Sequence, residues 1–425
     1  MGLAERDLEY IWHPYTHQKN RLPPIPVANG NGALLFDEYG NKYIDAISSW
    51  WVNIHGHAHP YIAKKIYKQA KALEHVIFAG FTHKPAVRLA EKLMPLLPGN
   101  FSKIFYSDNG STSVEIALKM ALQFWVNTGK PERNKIIALK NSYHGDTFGA
   151  MSASSRSVFT KAFDDKLFEV IFIDPPANDN LLSLQTEIAK YQTEIACFIY
   201  EPLLQGAGGM KMYDSKSLNE LLYFFKEQNI ICIADEVLTG FYRTGKFFAS
   251  EYVNHKPDII CLSKGLTGGT MALGLTACTF NIYSAFVSDD RTKTFFHGHS
   301  FTANPIACTT ALASLDLLKK KNCLKAIGKI IRRNKKFCDK LEITKYKKQI
   351  KNIRQLGTVL AFEIATKESD QYLNNLSGMF TKFSLANGVY LRPLGNTIYI
   401  MPPYCITKDQ LKKVFWVMEE FLNLD

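Results

Sequence analysis

The sequence predicts an α/β protein with a large domain built on a mainly parallel sheet and a smaller α+β domain at its carboxyl end. Three observations predict it. From about residue 100 to 280, short β-branched runs alternate with loops and helical stretches, the rhythm of parallel strands joined by crossover helices. Two of those runs, Ile230 to Ala234 and Asp258 to Leu262, are apolar and stop abruptly at charged residues, as strands buried on both faces do. After Lys319 the rhythm changes to helices, then to short strands in Q-L-G-T-V-L-A-F-E-I, N-G-V-Y-L-R-P and T-I-Y-I-M-P-P-Y.

Composition narrows the class. With 425 residues, 46% of them hydrophobic, the chain can bury a large core. No run approaches the roughly 18 apolar residues of a membrane span, and the start M-G-L-A-E-R-D-L-E-Y has neither a basic nor an apolar leader region, so cytoplasmic residence without membrane contact is expected. The eight cysteines are scattered and mostly lie within apolar runs, which predicts reduced core thiols. The net charge of +12 suggests nucleic acid until it is located. Residues 319–354 hold 15 of 51 Lys/Arg but 2 of 39 Asp/Glu, so outside them 36 basic residues face 37 acidic ones. Leu324, Ile327, Ile331 and Phe337 recur there at near-helical spacing, which puts the charges on solvated helix faces and predicts no nucleic-acid partner.

In chain order, residues 1 to about 45 read as an extended arm with short strands, including a hairpin that turns at Tyr39-Gly40-Asn41. In S-S-W-W-V-N-I-H-G-H-A-H-P, a strand would place His55, His57 and His59 on one face. Gly56 and Pro60 argue for a bending loop instead, and no metal site is expected. Adjacent indoles cannot share one face of a strand, so Trp50 or Trp51 lines a cavity or an interface.

Residues 101 to 125 read as strand, polar turn and helix. Gly110 and Ser111 sit at the helix start, where free N–H groups and the positive helix end make a phosphate site. The strand Lys135 to Leu139 delivers Tyr143 and His144, and an aromatic there can stack on a flat ring. A further strand ends at Glu201, with Gln205 in reach of the same crevice. The strands ending at Asp235 and Lys264 bring a carboxylate and an amine to the edge where open α/β sheets bind ligands. That pairing suits pyridoxal phosphate: its aldehyde condenses with a lysine amine, and its ring nitrogen draws electrons only while an acid keeps it protonated. Before the helix starting near Asn304, Ser300 is a second phosphate donor. Arg392, just before Pro393, either grips a carboxylate or lies in water at a sheet edge.

One competing motif fails. Gly240 to Lys246 has Walker A spacing after a Walker B-like strand, but Phe247 replaces the hydroxyl residue and no strand leads into the loop.

D-E-V-L-T-G-F-Y-R-T-G, followed by C-L-S-K-G-L-T-G-G, resembles the signature of class III pyridoxal-phosphate-dependent aminotransferases, and the likeness spans nearly the whole chain. Leu238 stands where general members carry Gln. With W-H-P-Y-T, the double-tryptophan run and H-G-H-S-F-T-A-N-P, it is similar to a branch that works in biotin biosynthesis. The resemblance implies the fold type I architecture, a seven-stranded sheet in residues 49–318, an arm 1–48 and a small domain 319–425. It implies Lys264 as the covalent partner of pyridoxal phosphate, Asp235 beneath its ring nitrogen, Gly110 and Ser111 at its phosphate and Tyr143 over its ring. It further implies a substrate box of Tyr15, Trp50, Trp51 and Tyr399, with Arg392 at the substrate carboxylate. Gly298 and Ser300 would reach the neighbouring subunit's site, so a homodimer is expected. The implied acceptor is 8-amino-7-oxononanoate (KAPA) and the donor S-adenosylmethionine or, in some relatives, lysine; ω-amino acid substrates are the alternative. Arg243 matches a motif arginine of unassigned role.

Overall fold

The computed structural model describes residues 2–19, 21–365 and 372–424. Its centre is a seven-stranded sheet in the order Phe101–Ser107, Gly274–Thr279, Ile259–Leu262, Ile231–Asp235, Ile195–Tyr200, Lys135–Leu139, Ile171–Ile173. The pairs from Ile259–Leu262 outward to Ile171–Ile173 are parallel, and Gly274–Thr279 alone runs against both of its neighbours. The alternation read from sequence is therefore real, with one reversed strand that the apolar runs do not betray.

Why these runs are strands is visible in their burial. Ile231 and Ile233 pack into one apolar layer with the helix Gly110–Asn127, while Cys232 and Ala234 face the opposite layer with Phe198, Tyr200 and Phe225. Both faces are covered, so a continuous apolar run satisfies a period of two. Ile233 is fully buried, which contributes on the order of 2 kcal/mol. Asn109 ends the preceding turn by accepting from the Thr112 N–H at 3.0 Å, which starts the Gly110–Asn127 helix at Gly110.

Two small sheets lie outside the large one, and the chain ends meet in the first. Val27–Asn31, Leu34–Asp37 and Lys42–Asp45 form an antiparallel meander, and Val389–Tyr390 adds to it parallel to Lys42–Asp45. Ile350–Leu356, Val359–Ile364 and Thr397–Ile400 make the second. The hairpin turns where expected, but the arm begins with a helix, Leu3–Tyr10, where an extended chain was predicted. The basic segment begins as the helix Lys321–Ile343, which buries Ile327, Ile330, Asn334, Phe337, Cys338 and Leu341 on one stripe, and continues through the turn Lys345–Lys348 into the strand Ile350–Leu356, so the expectation of helix faces holds for part of it. Phe337 stacks on Phe415 of the helix Lys408–Phe421 at 4.2 Å, leaving the lysines on the solvated side. Among the described residues, no helix is long and apolar enough to cross a membrane.

Candidate active site

The carboxyl ends of the parallel strands converge on a cavity of about 660 Å³. Phe101–Ser107 leads to Asn109, Gly110 and Ser111; Lys135–Leu139 leads to Tyr143 and His144; Ile195–Tyr200 leads to Glu201. The two central strands end at Asp235 and Lys264, and all of these residues line the cavity. Parallel strands of one sheet end on one side of it, which is why residues scattered over 150 positions meet.

Lys264 opens the short turn Lys264–Thr267 with φ of +45°, a left-handed conformation that costs about 1 kcal/mol or more for a residue with a Cβ. Its ammonium lies 4.8 Å from the centre of the Trp51 ring. Burial pushes the amine down to about 8 against the opposing pull of Asp235 and Glu201, so a neutral nucleophile is accessible near neutral pH. Asp235 is 4% exposed, and its Oδ2 lies 2.7 Å from Nδ1 of buried His144 while Oδ1 accepts from the Val237 N–H. Glu201 accepts from the Tyr143 N–H at 3.1 Å and the Gly206 N–H at 2.9 Å. Its burial raises the carboxyl to about 7.

At the helix start, the Ser111 and Thr147 hydroxyls lie 2.7 Å apart. A Cβ on Gly110 would come within 2.7 Å of Val237 Cγ1, and one on Gly145, at φ +136°, within 2.2 Å of Ser111 Oγ. Both glycines therefore keep the cradle open to an anion at the helix end.

A second cavity of about 400 Å³ opens from the first and is walled by Tyr15, Trp50, Trp51, Tyr143, Phe159 and Tyr372. Tyr15 donates to Asp146 at 2.8 Å and meets Trp50 and Phe159 edge-on. The Trp51 N–H donates to Tyr399 at 2.9 Å, and the Arg392 guanidinium sits 4.8 Å over the Trp50 ring. The box residues thus come together, both tryptophans line cavities, and Arg392 lies within the cluster rather than in water.

Other expectations fare differently. Gly298 and Ser300 are exposed and do not line the cavity of their own chain. Their loop is nevertheless held beside it, because His299 Nδ1 lies 2.6 Å from Asp108, next to the phosphate-type turn. Gln205 does not line the cavity: it donates to the Lys140 carbonyl at 2.8 Å from a short buried strand, Leu204–Gln205, that pairs with Lys211–Met212. Arg243 is buried and donates to the Pro402 carbonyl at 2.9 Å. The three histidines do not converge: the His55 and His59 rings meet edge-on at 6.2 Å, but His55 also bonds Ser314 and His59 caps the helix Pro60–Ala70, while His57 turns to Asp45. Among the described residues no cluster of three metal-ligating side chains exists. The sequence placed His144 and Glu201 at strand ends without giving them a role, and Asp146, Phe159 and Tyr372 are site neighbours it did not single out; Asp146 adjoins the Tyr143 motif, and the last two carry no periodic signal.

The aminotransferase class-III family pattern matches residues 15–422. The chain belongs to that family. This class-III aminotransferase is 42% identical to the adenosylmethionine-8-amino-7-oxononanoate aminotransferase of Synechococcus elongatus, over 97% of this chain and 98% of that protein. It is 39% identical to the Helicobacter pylori protein of the same name, over 99% and 98%. A crystal structure of the Methanocaldococcus jannaschii protein of that name superposes with a TM-score of 0.93 at 35% identity, covering 99% of this chain and 98% of that one. An ω-transaminase of Pseudomonas jessenii in complex with PMP has the same fold, with a TM-score of 0.93 at 24% identity. Class-III aminotransferases work with pyridoxal phosphate, and the donor set here fits it: an amine, a buried carboxylate with an imidazole behind it, and an anion cradle face one cavity.

Proposed function

We propose that this aminotransferase moves an amino group from S-adenosylmethionine to 8-amino-7-oxononanoate, giving 7,8-diaminononanoate for biotin. The observation that carries this reading is that Lys264 and Asp235 line one cavity, which adjoins an aromatic box, and that Trp50 and Trp51 of that box also wall a neighbouring pocket with Tyr399 and Arg392.

When bound, pyridoxal phosphate supplies an electrophilic carbon and a ring that withdraws electrons from it. Lys264 would hold it covalently and, with its amine free, would carry a proton on Nζ to and from the donor Cα. Asp235, oriented by His144, would hold the proton on the ring nitrogen. Gly110 and Ser111 N–H groups and the Ser111 hydroxyl would take the phosphate, and Tyr143 would cover the ring. The methylene chain of the acceptor needs an apolar slot with one fixed cation at its end, which Trp50, Trp51, Tyr15 and Tyr399 provide with Arg392. The sulfonium of the donor suits the same aromatic faces.

In this reading the protein acts in the cytoplasm as a homodimer whose Gly298–Ser300 loop completes the partner's phosphate site. Residues 1–48 and 319–425 form the small domain, as the pairing of Val389–Tyr390 with Lys42–Asp45 supports. Reconstituted with pyridoxal phosphate, the protein should absorb near 420 nm (roughly), lose that band with S-adenosylmethionine and regain it with 8-amino-7-oxononanoate. Bleaching by lysine but not S-adenosylmethionine would change the donor. Bleaching only by ω-amino acids would overturn the biotin reading.

A further inference from the structure

The two indoles of the box stand on a backbone no ordinary sequence adopts. Ser48, Ser49 and Trp51 have φ of +54°, +59° and +68°, and none is glycine. Ser49 combines that φ with a ψ of −93°. Such a corner persists only where its surroundings over-determine it, and here they converge on one carboxylate. Asp45, fully buried, accepts from the Ser49 N–H at 2.7 Å, the Ser49 hydroxyl at 3.3 Å and the Ile47 N–H at 3.2 Å. His57 Nε2 lies 2.9 Å from the same Oδ2. Its Nδ1 faces the Asn53 amide at 2.9 Å, so with that amide as donor the ring hydrogen sits on Nε2 and points at Asp45.

The corner aims the indoles apart. Trp51 is buried between Lys264 and Tyr399, whereas Trp50 lies under the Arg392 guanidinium. Asp45 also pairs in parallel register with Tyr390, two residues before Arg392, and the Ala46 N–H donates to the Tyr390 carbonyl at 3.3 Å. The carboxylate of Asp45 thus holds the corner that places both indoles, and the main chain on either side of it pairs with the strand that brings the cation.

We propose that Asp45, oriented by His57, is a positioning residue for substrate recognition: it holds the left-handed corner that sets Trp50 against Arg392 and Trp51 against Lys264. It touches none of the reacting atoms. The proposal rests on the function argued above for which substrate it affects, but the backbone claim can be tested without turnover.

In the reconstituted full-length protein, Asp45→Asn leaves too few acceptors for Ser49 and His57. It should raise KM for 8-amino-7-oxononanoate by about tenfold or more while kcat stays within about threefold. Borohydride should still attach the cofactor to Lys264, and the near-ultraviolet circular dichroism of the tryptophans should change. Adding Ser49→Gly, which accepts φ of +59° without a Cβ clash, should return both KM and the tryptophan spectrum toward wild type; His57→Gln should act like a milder Asp45→Asn. A lower melting temperature with KM and spectrum unchanged overturns the proposal, as does a raised KM that Ser49→Gly fails to rescue. If the wild type does not use 8-amino-7-oxononanoate at all, the substrate reading fails. A tryptophan spectrum that shifts with Asp45→Asn and reverts with Ser49→Gly then still supports the positioning role.

Discussion

His144 Nδ1 and Asp235 Oδ2 lie 2.7 Å apart, both side chains buried, and among the described residues the other imidazole nitrogen has no partner. The short contact places a hydrogen on Nδ1 and makes the imidazole the donor that steadies the carboxylate proposed to face the cofactor's ring nitrogen. His144→Ala leaves a buried acceptor short of one charge-assisted bond, a loss of about 1.5–3 kcal/mol. The dissociation constant of pyridoxal phosphate, titrated by absorbance, should rise by about tenfold to a hundredfold. An unchanged constant would remove His144 from the site.

Lys264→Ala should keep the fold and abolish borohydride-trapped label. Stability of the apo-protein gives an independent sign. Burial holds the Lys264 amine near 8 when folded against its ordinary 10.5, so between those values the unfolded chain binds more protons and stability rises with pH. The variant lacks that rise. Its melting temperature should exceed that of the wild type at about pH 7 by a margin that shrinks as pH approaches 10.5.

Glu201 shifts the other way. Its folded carboxyl titrates at about 7 instead of 4.5, so the folded state holds the extra proton and its stabilising effect fades as pH rises through that window. Glu201→Gln cannot ionise. The melting temperature of the variant relative to wild type should therefore become more favourable between about pH 5 and pH 8. A difference that stays flat would mean that the two N–H groups from Tyr143 and Gly206 outweigh burial.

Arg392→Ala should raise KM for the acceptor by about tenfold to a hundredfold, the loss of a charge-assisted bond to a carboxylate. Arg392→Lys should recover only part of this, because an ammonium cannot fork across two oxygens or lie flat on Trp50 as the guanidinium does at 4.8 Å. Steady-state kinetics with both substrates varied checks it.

What the sequence discloses follows from what has a period or an abrupt end. The runs at Ile231–Asp235 and Ile259–Leu262 end in charges, so Asp235 and Lys264 were legible before any coordinates. The Gly110 helix start and the hairpin at Tyr39 were legible for the same local reasons. Partners set by tertiary contact were not: His144 reaches Asp235 across 91 residues, and Tyr372 meets Phe159 at 4.7 Å from the far end of the chain. Gln205 misled because a polar residue after a strand points to the cleft or to the frame, and only packing decides which. The arm helix Leu3–Tyr10 buries none of its residues, so it leaves no apolar stripe for a pattern to find.

The strand Gly274–Thr279 runs opposite to its neighbour Ile259–Leu262, and only residues 263–273 connect them. Parallel partners would have required an excursion over the sheet, with a helix free to drift. Here the loop bearing Lys264 leaves the sheet and re-enters it at the adjacent position, moored at both ends in one ladder. In the proposed reaction its amine would therefore let go of one bond and take another by swinging its own four-carbon tether, while the main chain stays put.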